Sequence, residues 1–154
     1  MTHKIALVLL VTLSPISELR GGIPLGISLG LDPLLTFFIA IIANAILFFP
    51  ILLALRLFYD GILSRLQIFD RYLDSVRRKG KPRVDKHGFL ALMLFVAIPL
   101  PLTGVYTATI LSWLLGMNWR KAFPAITLGV IAAGIIVLLV TLGTIEGMKF
   151  FAPD

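Results

Sequence analysis

Two proline-marked interruptions inside apolar runs constrain this chain more than any other feature. Ser14-Pro15-Ile16-Ser17-Glu18-Leu19-Arg20-Gly21-Gly22-Ile23-Pro24 divides the oily block Ile5–Leu31, and Ile98-Pro99-Leu100-Pro101-Leu102-Thr103-Gly104 divides the block Phe89–Met117. Two other apolar blocks, Leu34–Leu57 and Ala122–Gly147, have no comparable break. Since about 20 residues cross a bilayer as a helix, each of these is long enough to span. The pieces of the broken blocks, about 9–13 residues at about 1.5 Å each, reach only halfway through the hydrocarbon core. Proline removes a backbone donor and disfavours helix at the residue before it, so Pro99 and Pro101 stop a helix. Irregular backbone survives at membrane depth only when buried in protein or lining a wet cavity. The pattern therefore predicts two re-entrant helical hairpins, each followed by a transmembrane helix.

Composition agrees with that reading. The chain is 58% hydrophobic and 14% charged, with a mean hydropathy of +1.00, against about 45–50% apolar and about 25% charged in soluble domains. An all-α integral membrane protein follows, as a single membrane domain over residues 1–154. The absence of cysteine excludes disulfides, thiolate metal sites and thiol catalysis. His3 and His87 are too few for a histidine metal site. His3 and Lys4 before Ile5–Leu13 fit a signal peptide loosely, but no small-residue cleavage site follows, so an uncleaved segment is expected.

The two broken blocks head two similar halves. At an offset of 86 residues, Pro15 falls on Pro101, Ser17 on Thr103, Gly30 on Gly116 and Asp32 on Asn118. The first repeat covers 1–58, with its hairpin about 5–31 and its span about 34–57. The second covers 89–154, with its hairpin about 89–117 and its span about 122–147. Between them, 59–88 is a basic linker. Tyr59, Ile62, Leu63, Leu66, Phe69, Leu73 and Val76 recur in it at helical spacing, which predicts an amphipathic helix, either simply lying on the membrane surface or serving as a specific docking site for anionic lipid headgroups. Eight of the fourteen basic residues lie between Arg65 and Lys86. Basic residues beside spans mark the cytoplasmic side, which accounts for the net charge of +6 without nucleic acid. With both broken blocks re-entrant, Arg120 and Lys121 join the linker on that side and the halves become inverted repeats. This multi-pass arrangement in the cell membrane is a transporter plan.

Glu18 and Arg20 are the sharpest functional candidates, since ionisable groups inside membrane segments persist where they pair, face water or work. One reading is an ion pair, mutual or across the repeats, that pins the hairpin; the other is a substrate or proton site. Ser17 and Thr103 follow the breaks and are expected to N-cap the next half-helix. Helix N-termini aimed at the centre, with Arg20 beside them, suit a phosphate or carboxylate. Pro24 leaves two starts open for the helix after the first break, near Ser17 or at Pro24. Tyr106 and Thr107 place hydroxyls near the second break. Asn44 is expected either to bond a neighbouring helix or to meet substrate. Ala125, Gly129 and Ala133 form a small-residue stripe suited to packing within the monomer or in a homodimer. Trp113 and Trp119 suit interfacial anchors.

The stretches "SELRGGIPLGISLGL" and "IPLPLTGVYTATILSWLLGM" resemble the two signatures of the small multi-drug export protein family, itself distantly similar to DedA, or VTT-domain, membrane proteins. The resemblance covers nearly the whole chain except the linker. It implies two oppositely oriented re-entrant hairpins, each followed by a span. Some DedA-like relatives are associated with translocation of polyprenyl-phosphate lipid carriers. The family's first-hairpin acid and arginine fall on Glu18 and Arg20, and its second break on Pro99, Pro101, Thr103 and Gly104. Where DedA proteins tend to carry arginine beside the second-hairpin proline, this chain has Ile98, Leu100 and Leu102.

The expectation is an ion-coupled transporter, driven by H+ or Na+, for a small amphipathic or anionic substrate, a lipid phosphate among the options. Membrane lipids are its expected surroundings. No Walker A sequence, metal motif or nucleophile elbow occurs, so no enzyme activity, cofactor or metal is expected. The rival expectation is a non-transporting membrane scaffold whose linker recruits partners.

Overall fold

The computed structural model describes residues 1–61, 67–100 and 103–151. Among these residues the elements are helices: α1 (Thr2–Thr12), α2 (Glu18–Ser28), α3 (Pro33–Gly61), α4 (Gln67–Ala97), α5 (Val105–Leu114) and α6 (Trp119–Phe151). Each apolar block that contains a proline-marked break is two helices, and each unbroken block is one. Pro101 lies outside the described residues, as do Ile62, Leu63 and Leu66 of the linker pattern.

The ends of α2 and α5 are built alike, and local chemistry explains them. Gly30 (φ 77°) and Gly116 (φ 67°) take the left-handed conformation that lacks a steric penalty only for glycine. Behind Gly30, its N–H bonds Ile27 O at 2.9 Å and the Leu31 N–H bonds Gly26 O at 3.0 Å. Behind Gly116, its N–H bonds Trp113 O at 3.0 Å and the Met117 N–H bonds Ser112 O at 2.9 Å. Both are Schellman closures, which satisfy the last helical carbonyls. The next helix is then started by an acidic or amide side chain. Asp32 Oδ1 accepts from the Leu35 N–H at 2.9 Å, and Asn118 Oδ1 accepts from the Arg120 N–H at 3.0 Å.

The correspondence extends to packing. On α2 the buried residues are Glu18, Leu19, Gly22, Ile23 and Gly26; on α5 they are Val105, Ala108, Thr109 and Ser112, with Gly104 just before the helix also buried. These are the same positions at the 86-residue offset. The helices before the breaks match at 84 instead: Val8 and Thr12 of α1 correspond to Leu92 and Val96 of α4. The second break (98–104) is two residues longer than the first (13–17), and that insertion makes the difference. The helix contacts obey the same exchange. α1 packs on α2 and α3 as α4 packs on α5 and α6; α2 packs on α3 and α6 as α5 packs on α6 and α3; and α3 packs on α6.

α3 and α6 run antiparallel. The Phe48 and Phe49 rings lie 5.4 and 4.9 Å from that of Phe123, and a side chain at Gly134 would meet Ile41 and Phe37. Low numbers on one helix thus meet high numbers on the other. The two helices contain apolar stretches Pro33–Tyr59 and Trp119–Met148, each with a mean hydropathy of 2.7 in its most apolar window, of which only 33% is buried. The distribution on α3 is inside-out for water. Leu34, Phe38, Ile42, Ile46, Phe49, Leu53 and Leu57 form its exposed stripe, whereas Thr36, Ala40, Ala43 and Asn44 face the core beside Ile41 and Phe48. Small and polar residues inside, with bulky apolar ones outside, is the pattern of helices packed in lipid. The chain is a membrane protein, and among the described residues two helices are long and apolar enough to cross.

One element departs from the expected plan. The composition change near residue 88 predicts a boundary between the linker and the first arm of the second hairpin. α4 runs through that point without interruption, from Gln67 to Ala97, carrying Pro82 inside it. No helix-stopping signal stands between Lys86 and Phe89; Gly88 alone costs a helix only about 1 kcal/mol. The charged part and the apolar part therefore belong to one continuous helix.

Candidate functional site

The site forms where the two breaks meet, and Glu18 is its centre. α2 begins at Glu18, not at Pro24, which lies inside the helix. Glu18 has φ 47°, the sole non-glycine residue with positive φ among those described. That conformation is costly for a residue with a Cβ. Here it accompanies a carboxylate that reaches into the other half. Glu18 Oε2 accepts from the Val105 N–H at 3.3 Å and Oε1 from the Tyr106 N–H at 3.4 Å. These are free N–H groups of the first turn of α5, where the helix dipole also favours negative charge. Glu18 is only 5% exposed. A Cβ on Gly104, the N-cap residue of α5, would overlap the Glu18 carboxylate outright. Gly104 is thus required by close approach.

This overturns the expected capping by Ser17 and Thr103. Ser17 occupies the cap position of α2, but its hydroxyl donates back to the Val11 carbonyl at 3.1 Å. Thr103 precedes the Gly104 cap, and its Oγ1 lies 2.7 Å from the carbonyls of both Ile98 and Leu100. A short hydroxyl turned into its own break cannot also reach N–H groups ahead of it. The carboxylate from the other half caps α5 in its place.

Arg20 follows Glu18 across. Its guanidinium donates to the Leu100 carbonyl and, at 2.8 Å, to Thr103 Oγ1. It adds a charged donor to a carbonyl and a hydroxyl that already bond within the second break. The reverse contact also exists: Tyr106 donates its hydroxyl to the Leu13 carbonyl of the first break at 2.6 Å. Arg20 and Tyr106 are equivalent at the 86-residue offset, so each half sends the same position into the other's break. Glu18 and Arg20 direct these hydrogen bonds away from each other.

A cavity of about 260 Å³ opens beside this clasp. Arg20 and Pro24 of α2, Pro99 of the second break, and Ile136, Val137, Val140 and Thr141 of α6 line it. Arg20 Nε is buried without a hydrogen-bond partner among the described residues. The α6 wall was not anticipated; Thr141 was its only polar mark in the sequence, and its hydroxyl is directed to Val137 O at 2.7 Å.

Asn44 is fully buried, and neither its Oδ1 nor its Nδ2 has a partner among the described residues. A short turn joins α2 and α3, and Gly26 lies against Thr36. About two helical turns along each from that contact brings Glu18 and Asn44 to the same level. Thr107 is half-buried on α5 and outside the clasp. Among the described residues no group of acidic or histidine side chains is arranged to hold a metal ion.

A family model described as "Putative small multi-drug export protein" matches residues 18–136. The chain belongs to this family. The matched region begins at Glu18 itself and holds α2 with both Glu18 and Arg20, the second break, α5, and the beginning of the α6 cavity wall. No curated protein matches the export-family chain, and no solved structure matches it.

Proposed function

We propose that this chain is a membrane transporter whose substrate passes between two re-entrant hairpins of opposite orientation. The matched helix ends, the exchange of packing partners and the antiparallel α3 and α6 support the inverted arrangement. Helices α1, α2 and α5, at 10–11 residues, are about half a bilayer long. The observation that carries the reading is the reciprocal clasp at the tips, with Arg20 as both a latch and a wall of the adjoining cavity. Withdrawal of Arg20 from Leu100 and Thr103 would present a guanidinium to that cavity. The substrate class is then small, amphipathic and anionic at one end, with a lipid phosphate as one member. Glu18, buried against the α5 N-terminus, is the group for coupling to H+ or Na+.

The test is flux in proteoliposomes with an imposed proton or sodium gradient. A fluorescent prenyl phosphate and the cation ethidium serve as alternative probes. Gradient-driven movement of the anionic probe, falling at least tenfold in Arg20→Ala and losing its gradient dependence in Glu18→Gln, is expected. Unchanged flux in both variants would refute the site, and movement of ethidium alone would refute the anionic substrate.

A further inference from the structure

A second cavity, of about 370 Å³, lies between α4 and α5, away from the clasp. That volume is within the usual range of ligand sites. Its inner end is apolar, with Phe95 and Leu111. Its outer end is formed by His87 together with Leu115 and Met117. Between those last two residues stands Gly116, and the stem of Arg77 lies over it, within 3.4–3.5 Å of where a Cβ would be. The Arg77 guanidinium is held 5.5 Å from the Trp113 ring centroid and donates weakly to the Trp113 carbonyl at 3.4 Å, while its Nε is buried without a partner among the described residues. The groove is therefore apolar along its length, with Arg77 set beside its outer end. Exposed Lys86, next to His87, adds a cation at that end, whereas Arg78 lies with Arg71 and the exposed Asp74 in a separate cleft. Leu90, Leu94 and Ile110, exposed on the same two helices, make the flanks apolar.

We propose that this groove holds one acyl chain of an anionic phospholipid, whose headgroup is bound by Arg77 and His87. The occupant follows from complementarity. A chain in a membrane protein's lateral groove is supplied by the bilayer, and a basic cluster at the groove's mouth selects the anionic headgroup over the zwitterionic one. A hydrophobic cation would fit the apolar end but would be repelled at the other. The site is independent of the transport reading, since it shares no residue with the clasp.

Trp113, next to the lining residue Ser112 and in contact with Arg77, reports on the mouth of the groove, and with only two tryptophans in the chain, Trp119→Phe isolates its fluorescence. The full-length protein is reconstituted in phosphatidylcholine vesicles with increasing phosphatidylglycerol or phosphatidylcholine carrying brominated acyl chains. Phosphatidylglycerol is expected to quench at about a fivefold lower mole fraction, the effect of roughly one basic residue at a membrane surface. In Arg77→Gln the ratio is expected to fall to near one. In Gly88→Leu, which fills the groove, quenching by both lipids is expected to weaken. Taking the ratio within each variant cancels any direct change in Trp113 emission. Equal quenching by the two lipids in the parent protein would overturn the proposal, as would a ratio that survives Arg77→Gln. Relief of quenching by tetraphenylphosphonium would also overturn it, by showing a cation site. If Arg77→Gln does not reconstitute, the parent ratio is measured at high salt, where its persistence would count against the headgroup contact.

Discussion

The two halves of this molecule share their helix ends and buried faces yet differ at their breaks. In the first half, residues 13–17 connect α1 to a helix that opens with Glu18 and Arg20. In the second, the longer stretch 98–104 leads to a helix that opens with Gly104 and Tyr106. The first break needs little help, since Ser14 and Glu18 bond Val11 O and Ser14 O through their own backbone N–H groups. The second also bonds through its own N–H groups at Ile98, Leu100 and Thr103, and there the charged pair of the first half is added: Glu18 accepts from the first N–H groups of α5, and Arg20 donates to Leu100 O and Thr103 Oγ1. Even the cationic caps at the helix ends follow this plan in outline: Lys4 of α1 donates to Leu29 O at 2.5 Å, and Arg77 of α4 to Trp113 O. The lesson is that a repeated scaffold concentrates its asymmetry at the one place where its halves touch tip to tip.

The comparison can be broken most sharply at Gly104. Gly104→Ala collides with a buried carboxylate and should cost about 3 kcal/mol or more, measured by unfolding in mixed detergent micelles. Its equivalent partner change is the control: in Glu18→Ala the collision disappears, so Gly104→Ala added to Glu18→Ala should cost less than about 1 kcal/mol. Equal costs in both backgrounds would deny the close approach.

Arg20→Ala comes next, at about 2 kcal/mol, because it deletes a charged donor to two acceptors of the second break. Arg20→Lys should recover only part of it, since an ammonium cannot fork. The two C-terminal glycines test the likeness of the halves. Gly30→Ala and Gly116→Ala should each cost about 1–2 kcal/mol and agree closely, as both place a Cβ in a left-handed turn. A large disparity would mean that the repeated geometry is not energetically equivalent. Tyr106→Phe removes the return contact to Leu13 and should cost about 1 kcal/mol. It should thus be milder than Arg20→Ala, as a neutral bond is weaker than a charged one.

The smallest effect concerns Asn44, whose counterpart at the repeat offset is Val130, both fully or nearly fully buried. Asn44→Val makes the two positions alike and removes a buried amide without partners. Stability should stay level or rise by up to about 1 kcal/mol. A loss of more than about 1 kcal/mol would show that the amide is satisfied in the folded protein.

Much of the architecture was legible because it is local. Pro15 and Pro99 mark breaks where other break signals join them, whereas Pro24, Pro50, Pro82 and Pro124 lie inside helices; glycine followed by Asp32 or Asn118 closes one helix and opens the next, and long apolar blocks become spans. The continuity of α4 was less legible, because a change from charged to apolar composition resembles a boundary although the backbone has no reason to stop. The pairing at the site was not legible. Ser17 and Thr103 are good caps by residue type, and nothing nearby in sequence warns that a carboxylate will arrive first.

Residue order alone settled where helices begin, stop and turn, since those choices depend on groups within about a turn of one another. Packing alone decided which partner each exposed backbone group received. Glu18 and the N–H of Val105 are 87 residues apart in the chain, and only when α2 and α5 lie tip to tip does low-dielectric burial make that carboxylate the cheapest way to satisfy a helix N-terminus.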